Sequence, residues 1–144
     1  MKYKTQWNKK EDIERNWYIV DVKDQVLGRA ATKIASLLIG KGKVNIVPNM
    51  DCGDYVVVIN SDFVKVTRGK ELKKKYYSYS GYPSGLKVTT FDEQMKKDSR
   101  KVIESAIKNM LPKNKMQDQR MSRLFVYKGS EHNHQAQKPV EYKI

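Results

Sequence analysis

Five consecutive residues, Tyr55-Val56-Val57-Val58-Ile59, leave a strand no polar face. Successive side chains of a strand point to opposite sides, so a strand with one side in water alternates apolar and polar residues. An unbroken apolar run of this length is the pattern of a strand covered on both faces, as in a parallel sheet flanked by helices. Parallel neighbours need long, usually helical, crossovers, so the run calls for helices elsewhere in the chain.

The flanking sequence supplies them. Trp17-Tyr18-Ile19-Val20-Asp21-Val22 is aromatic and β-branched and is expected to be a strand. A turn follows, with Leu27-Gly28-Arg29 expected to be tight, then a helix from about Gly28 to Ile39 on the stripe Ala31, Ile34, Ala35 and Leu38. Gly40 suits the left-handed position that ends a helix, and Lys41 and Lys43 lie near the negative end of its dipole. After the turn Asn60-Ser61-Asp62, Phe63-Val64-Lys65-Val66 is expected as a second, less buried strand. Residues 68–88 carry Lys, Tyr, Gly and Pro with no helical period and are expected to form an extended excursion or loop.

Thr90-Phe91-Asp92-Glu93 is a capping box, and Val102, Ile103, Ala106, Ile107 and Met110 form the stripe of a helix running to about Leu111. Pro112 suits the first turn of a following helix. Leu124-Phe125-Val126-Tyr127 is expected as the last strand, ended by Gly129 and followed by a polar tail to Ile144. Strands alternating with helices make an α/β layered domain with a mainly parallel sheet. The organisation expected is a basic, polar arm over 1–15, ordered against a partner, and one domain over 16–144 with a basic loop at 68–88.

Composition enters with charge. Lys and Arg number 29 against 16 Asp and Glu, a formal charge of +13. Like charges on one small domain repel and weaken the compact state, so a polyanion that neutralises them in use is the natural explanation. Nucleic acid is the first candidate, an anionic membrane surface the second, and a merely soluble basic protein the third. Mean hydropathy is −0.75, and no apolar run approaches the roughly 20 residues of a spanning helix, which excludes a membrane-spanning protein. The opening residues hold no hydrophobic stretch for a signal peptide, and Cys52 has no second cysteine to pair with, so a cytoplasmic location is expected.

Motifs for chemistry are sparse. Gly28 lies at a strand-to-helix junction but has no companion glycines for a phosphate cradle, which leaves Arg29 as a guanidinium beside the helix start. Cys52 has no C-x-x-C neighbour and no basic flank, so neither a zinc site nor a thiolate nucleophile is indicated. His132-Asn133-His134 offers too few ligands for zinc; contact with RNA phosphate, ribose or base edges competes evenly with a polar turn. No serine-hydrolase elbow or zinc-protease motif occurs, and no cofactor or metal is implied.

The basic segments say more. Lys70, Lys73, Lys74 and Lys75 run into Tyr76, Tyr77 and Tyr79, so phosphate-pairing ammonium groups stand beside rings on which unpaired bases stack. A solvated lysine run beside tyrosines that pack on the domain is the competing explanation. Lys108, Lys113, Lys115, Arg120, Arg123 and Lys128 form a second basic region with one acid, Asp118, for which a solvated face is the main competing explanation and a basic helix lying on an anionic membrane a lesser one.

Taken in order, these segments resemble a known family. They are Trp17-Tyr18-Ile19-Val20-Asp21, Leu27-Gly28-Arg29-Ala30-Ala31, Gly40-Lys41-Gly42-Lys43 and Asp51-Cys52-Gly53-Asp54-Tyr55. Further along come Tyr76-Tyr77 with Ser80-Gly81-Tyr82-Pro83 and Gly85-Leu86-Lys87, then Met110-Leu111-Pro112-Lys113, then Val126-Tyr127 with Glu131-His132-Asn133-His134. From about Asn16 to Lys143 the chain looks like bacterial large-subunit ribosomal protein L-thirteen. The resemblance implies a three-layer α/β/α fold with a four-stranded, mainly parallel sheet. It implies a non-enzymatic constituent of the large ribosomal subunit that binds large-subunit ribosomal RNA early in assembly, beside neighbouring ribosomal proteins. No membrane partner and no homo-oligomer are expected.

The chain departs from the family pattern in places. Asn109 stands where a Gly usually precedes Met-Leu-Pro-Lys, and Met116-Gln117-Asp118 where Leu-Gly-Arg follows. Tyr79 replaces a His, Ser84 a Gly, and Arg68 a Gly, with Gly69 one position later. The RNA contacts expected are Arg29, Lys41, Lys43, Arg68, Lys70, Lys73, Lys74, Lys75, Lys113, Lys115, Arg120 and Arg123 on phosphates, the Tyr76, Tyr77 and Tyr79 rings on bases, and His132 and His134. An RNA-acting enzyme with a pocket near Gly28 and a DNA-architectural protein are the alternatives.

Overall fold

The computed structural model describes residues 9, 11 and 13–144; residues 1–8, 10 and 12 of the expected arm lie outside the described residues. Strands β1 (Trp17–Asp21) and β2 (Tyr55–Ile59) pair in parallel from Trp17 opposite Tyr55 to Asp21 opposite Ile59. Strand β5 (Leu124–Val126) adds to the other edge of β2, and β6 (Val140–Glu141) to the other edge of β1, both parallel. The order β5-β2-β1-β6 places the apolar run inside the sheet, and Val56, Val57 and Val58 are each 0% exposed. The class is the one the sequence implies, α/β with a four-stranded parallel sheet flanked by helices.

One face of the sheet offers Val20, Val22, Val56 and Val58. Helix α1 (Leu27–Ile39) lays Ala30, Ala31, Ile34, Ala35 and Leu38 on it, and the three alanines let the helix approach closely. Helix α3 (Phe91–Met110) adds Val102, Ile103 and Ile107 beside α1. Each such side chain contributes about 1.5–3 kcal/mol on burial. Trp17, Tyr55 and Phe125 stack on the other face, with Trp17 4.4 Å from Tyr55 and 5.7 Å from Phe125 between ring centroids.

Helix α1 ends as expected. Gly40 takes φ 82°, its N–H bonds to the carbonyls of Ser36 and Leu37, and a Cβ there would press on the Cys52 carbonyl at 2.7 Å. Thr90 and Glu93 close the capping box of α3. That helix breaks at Asp98 (φ −160°, ψ 100°), whose carboxylate accepts the Arg100 N–H at 3.2 Å and restarts the helix. Ser99 is tied there to Ser61, with 2.7 Å between hydroxyl oxygens, and to Asp62.

Several local expectations are corrected. Leu27-Gly28-Arg29 is the first turn of α1 rather than a separate turn. Phe63–Val66 is not a strand: a short 3₁₀ turn (Ser61–Phe63) follows Asn60 at φ 62°, and only Lys65 bridges, to Val26. The left-handed residue swings the segment to the α1 start, where Lys65 accepts the Leu27 N–H at 2.8 Å. Residues 68–88 hold a short helix α2 (Lys70–Lys73) and most of an antiparallel hairpin, β3 (Lys75–Tyr79) with β4 (Leu86–Thr90). Pro112 precedes a bend, and α4 (Gln117–Met121) starts later. The polar tail contributes β6, and Tyr142 and Ile144 pack on the core.

Candidate nucleic-acid interface

The first turn of α1, the segment 66–74 and the end of α3 enclose a cleft of about 640 Å³. Arg29, Lys70 and Lys74 line it, and no carboxylate, His or Cys among the described residues does. Lys74 is half-buried; burial, and then the charge of Lys70, pull its ammonium below the usual lysine range. Its Nζ sits 5.1 Å from the centre of the Tyr76 ring. The junction at Gly28 is therefore open rather than filled, but its titratable groups are cations alone. It can hold an anion; it presents no pair of groups for acid–base or nucleophilic chemistry.

The tyrosines of the hairpin divide. Tyr76 turns inward, packs against the core, and buries a hydroxyl with no hydrogen-bond partner among the described residues; burial pushes that phenol above its usual range. Tyr77 and Tyr79 alternate to the opposite side and are 68% and 65% exposed. The register sets Tyr77 opposite Val88 and Tyr79 opposite Leu86, so the two rings share one face with two aliphatic chains, also exposed. Lys73 and Lys75 are exposed beside them, and Arg68, at φ 61°, and Gly69, at φ 65°, turn the chain into α2.

Lys41 is exposed beyond the end of α1. Lys43 is different: its Nζ lies 2.6 Å from Oδ1 of Asp54 and 2.6 Å from the Glu14 carbonyl oxygen. Asp54 is buried, and its Oδ1 also accepts the Asn16 N–H at 2.8 Å. Lys43 thus neutralises an internal acid while keeping about a quarter of its side chain in solvent.

Arg120 and Arg123 are corrected outright as surface contacts. They are 3% and 5% exposed, and both turn to Asp51. Arg123 grips both carboxylate oxygens, and its Nη2 also reaches the Leu38 carbonyl at 3.3 Å. Arg120 Nε stands 3.7 Å from Asp51 Oδ1, and its Nε and Nη1 have no hydrogen-bond partner among the described residues. Burial works to raise the Asp51 pKa, but Arg123, the Gly53 N–H and Arg120 outweigh it and hold the carboxyl below the usual range. Lys113 and Lys115 remain exposed in the bend after Pro112.

The histidines join the tail to the sheet. His134 packs at a tilt against Phe125 at 4.3 Å and Trp17 at 5.1 Å, and its backbone N–H donates to Nδ1 of His132 at 3.2 Å. Both rings are half-buried. No group of three or more His, Cys, Asp or Glu among the described residues is placed to hold a metal ion. Cys52 is buried, its Sγ 3.6 Å from the Asn45 carbonyl. No helix among the described residues is long and apolar enough to cross a membrane.

The family described as Ribosomal protein L13 matches residues 15–133, most of the chain. The chain belongs to the ribosomal protein L13 family. Among its relatives, a protein of Azotobacter vinelandii is 49% identical over 141 residues, 98% of this chain and 99% of the relative. One of Thermosipho africanus is 46% identical over 138 residues, 96% and 93% of the two chains. One of Kocuria rhizophila is 47% identical over 133 residues, 92% and 90%. Each is named large ribosomal subunit protein uL13. Within the L13 family fold, the cations divide into an outward set at the α1 start, the hairpin and the 113–115 bend, and an inward set at Asp51 and Asp54.

Proposed function

We propose that the chain is a structural, non-catalytic constituent of the large ribosomal subunit in the cytoplasm, where it binds large-subunit ribosomal RNA and supports early assembly beside neighbouring ribosomal proteins. Membership of the L13 family carries this reading. The outward cations support it: Arg29, Lys70 and Lys74 around one cleft hold no acid among them. Arg29, Lys41, Arg68, Lys70, Lys73, Lys74, Lys75, Lys113 and Lys115 meet phosphates, and Tyr77 and Tyr79 meet bases. His132 and His134 reach the RNA only with the edges left open by their packing. Folded RNA helices are read mainly through shape, phosphate and 2′-OH contacts, so the site recognised is a tertiary one.

The test is filter binding of large-subunit RNA across a salt series, with duplex DNA as competitor. If roughly 6–10 phosphates are neutralised, affinity falls by about 10³–10⁵ between 50 and 200 mM salt on the duplex scale. A flat salt response, or equal displacement by arbitrary duplex DNA, overturns the reading.

A further inference from the structure

The cleft at the start of α1 has two chemistries in one space. Its cationic side is Arg29, Lys70 and Lys74. None of the three has a carboxylate partner among the described residues. The Gly28 N–H, beside them, also has no acceptor there, since Lys65 and Val26 take only the Leu27, Arg29 and Ala30 donors. Its other side is apolar: Leu27, Val66, Ala106 and Met110. Between the two stands Asn109, an exposed amide with both a donor and an acceptor uncommitted.

A bare phosphate would use the cations and leave the apolar wall in water. A flat ring with apolar faces and hydrogen-bonding edges, joined to a phosphate, uses both, and an amide at the rim can meet such an edge. The volume, about 640 Å³, lies within the roughly 300–1,000 Å³ typical of small-ligand sites. Where proteins read RNA sequence, they mostly do so at unstacked bases splayed out of single-stranded loops and bulges.

We propose that this cleft seats one nucleotide turned out of the bound RNA, its phosphate on Arg29, Lys70 and Lys74 and its base on Val66, Ala106 and Met110 beside Asn109. The inference rests on the RNA-binding reading above and adds the unit recognised at this place.

The probe is adenosine monophosphate, titrated into the full-length chain and followed by NMR at the Gly28 amide and the Met110 methyl, with inorganic phosphate as control. Large-subunit RNA binding is measured in parallel by filter retention. The expected result is that the nucleotide shifts both signals, phosphate shifts Gly28 but not Met110, and saturating RNA displaces the nucleotide. Lys74→Gln weakens nucleotide binding about tenfold, as loss of one charge-assisted contact does. Ala106→Phe fills the space and abolishes the Met110 shift; if that variant does not fold, Asn109→Trp, at an exposed rim position, blocks it instead. Equal effects of phosphate and nucleotide overturn the inference, as does simultaneous binding of nucleotide and RNA, which would make the cleft a site for free nucleotide. No shift with intact RNA binding overturns the inference alone, whereas loss of RNA binding by the unaltered chain overturns the functional reading beneath it.

Discussion

Arg123 and Asp51 are joined across the domain by two parallel contacts, with Nη2 2.6 Å from Oδ1 and Nη1 on Oδ2. They stand 72 positions apart in the chain, on the residue that enters β5 and in the loop that enters β2. The pair therefore pins two neighbouring strands at their amino ends. Arg120 shares the same carboxylate, so one acid answers two buried guanidinium groups.

Asp51→Asn is expected to destabilise the fold by about 3–5 kcal/mol, because it leaves buried positive charge uncompensated. Urea unfolding at neutral pH measures this. Asp51 is held below the usual carboxyl range, so its stabilisation is complete above the unfolded value of about 3.9 and is lost as pH falls through the folded value. The unaltered chain should lose stability steeply below about pH 4, and the variant much less. Equal slopes would remove Asp51 from the acid transition.

Two glycines should respond oppositely to alanine. A Cβ on Gly53 would run into the Leu38 carbonyl and come within 2.8 Å of Arg123 Nη2. Backbone cannot give way there without opening the same pinned corner, so Gly53→Ala should cost more than about 4 kcal/mol, the diagnostic tail for single substitutions. Gly28 meets nothing within 4 Å and lies in the first turn of α1. Gly28→Ala should raise stability by up to about 1 kcal/mol through helix propensity. Thermal unfolding of both separates the cases.

Why the strand pattern was readable and the arginines were not follows from range. The Tyr55–Ile59 run and the α1 stripe declare their burial locally, because burial of a whole element must be written in consecutive or periodic residues. The four-stranded count came from family resemblance, since β6 is two residues in a polar tail and is held by pairing with Tyr18 and Ile19. Phe63–Val66 has strand composition, yet Asn60 in a left-handed turn leads it elsewhere. Arg120 and Arg123 look in sequence like Lys113 and Lys115; what separates them is one distant acid. Planar guanidinium groups satisfy buried carboxylates, whereas lysine prefers water, and that preference was the available signal. Asp51 beside Gly53 was a second one, the acid placed where a missing side chain leaves room for a guanidinium.

Lys41 and Lys43 should separate binding from stability. Lys41 is exposed, so Lys41→Gln should change stability by no more than about 0.5 kcal/mol while lowering affinity for large-subunit RNA and the slope of its salt dependence by about one. Lys43 answers the buried Asp54 at 2.6 Å. Lys43→Gln should cost about 1–3 kcal/mol, the penalty for a buried acceptor left short of its partner. Filter binding and urea unfolding on the same two proteins test the split; equal stabilities would place Lys43 with the surface cations.

The hairpin offers the same separation within three positions. Tyr77 and Tyr79 carry no core packing, so Tyr77→Ala and Tyr79→Ala should leave the unfolding midpoint nearly unchanged. Each should weaken RNA binding by about 1–3 kcal/mol if a base stacks on the ring. Tyr76 behaves conversely. Its half-buried ring packs against the core and its hydroxyl is buried without a partner among the described residues. Tyr76→Phe deletes an unsatisfied polar group while keeping the ring, so it should be neutral or stabilise by up to about 1–3 kcal/mol, the range for a buried unpaired group. Tyr76→Ala should instead cost about 3–5 kcal/mol, as large aromatic truncations do. If Tyr76→Phe lowered RNA affinity tenfold without loss of stability, the hydroxyl would face the RNA and the inward placement of Tyr76 would fail.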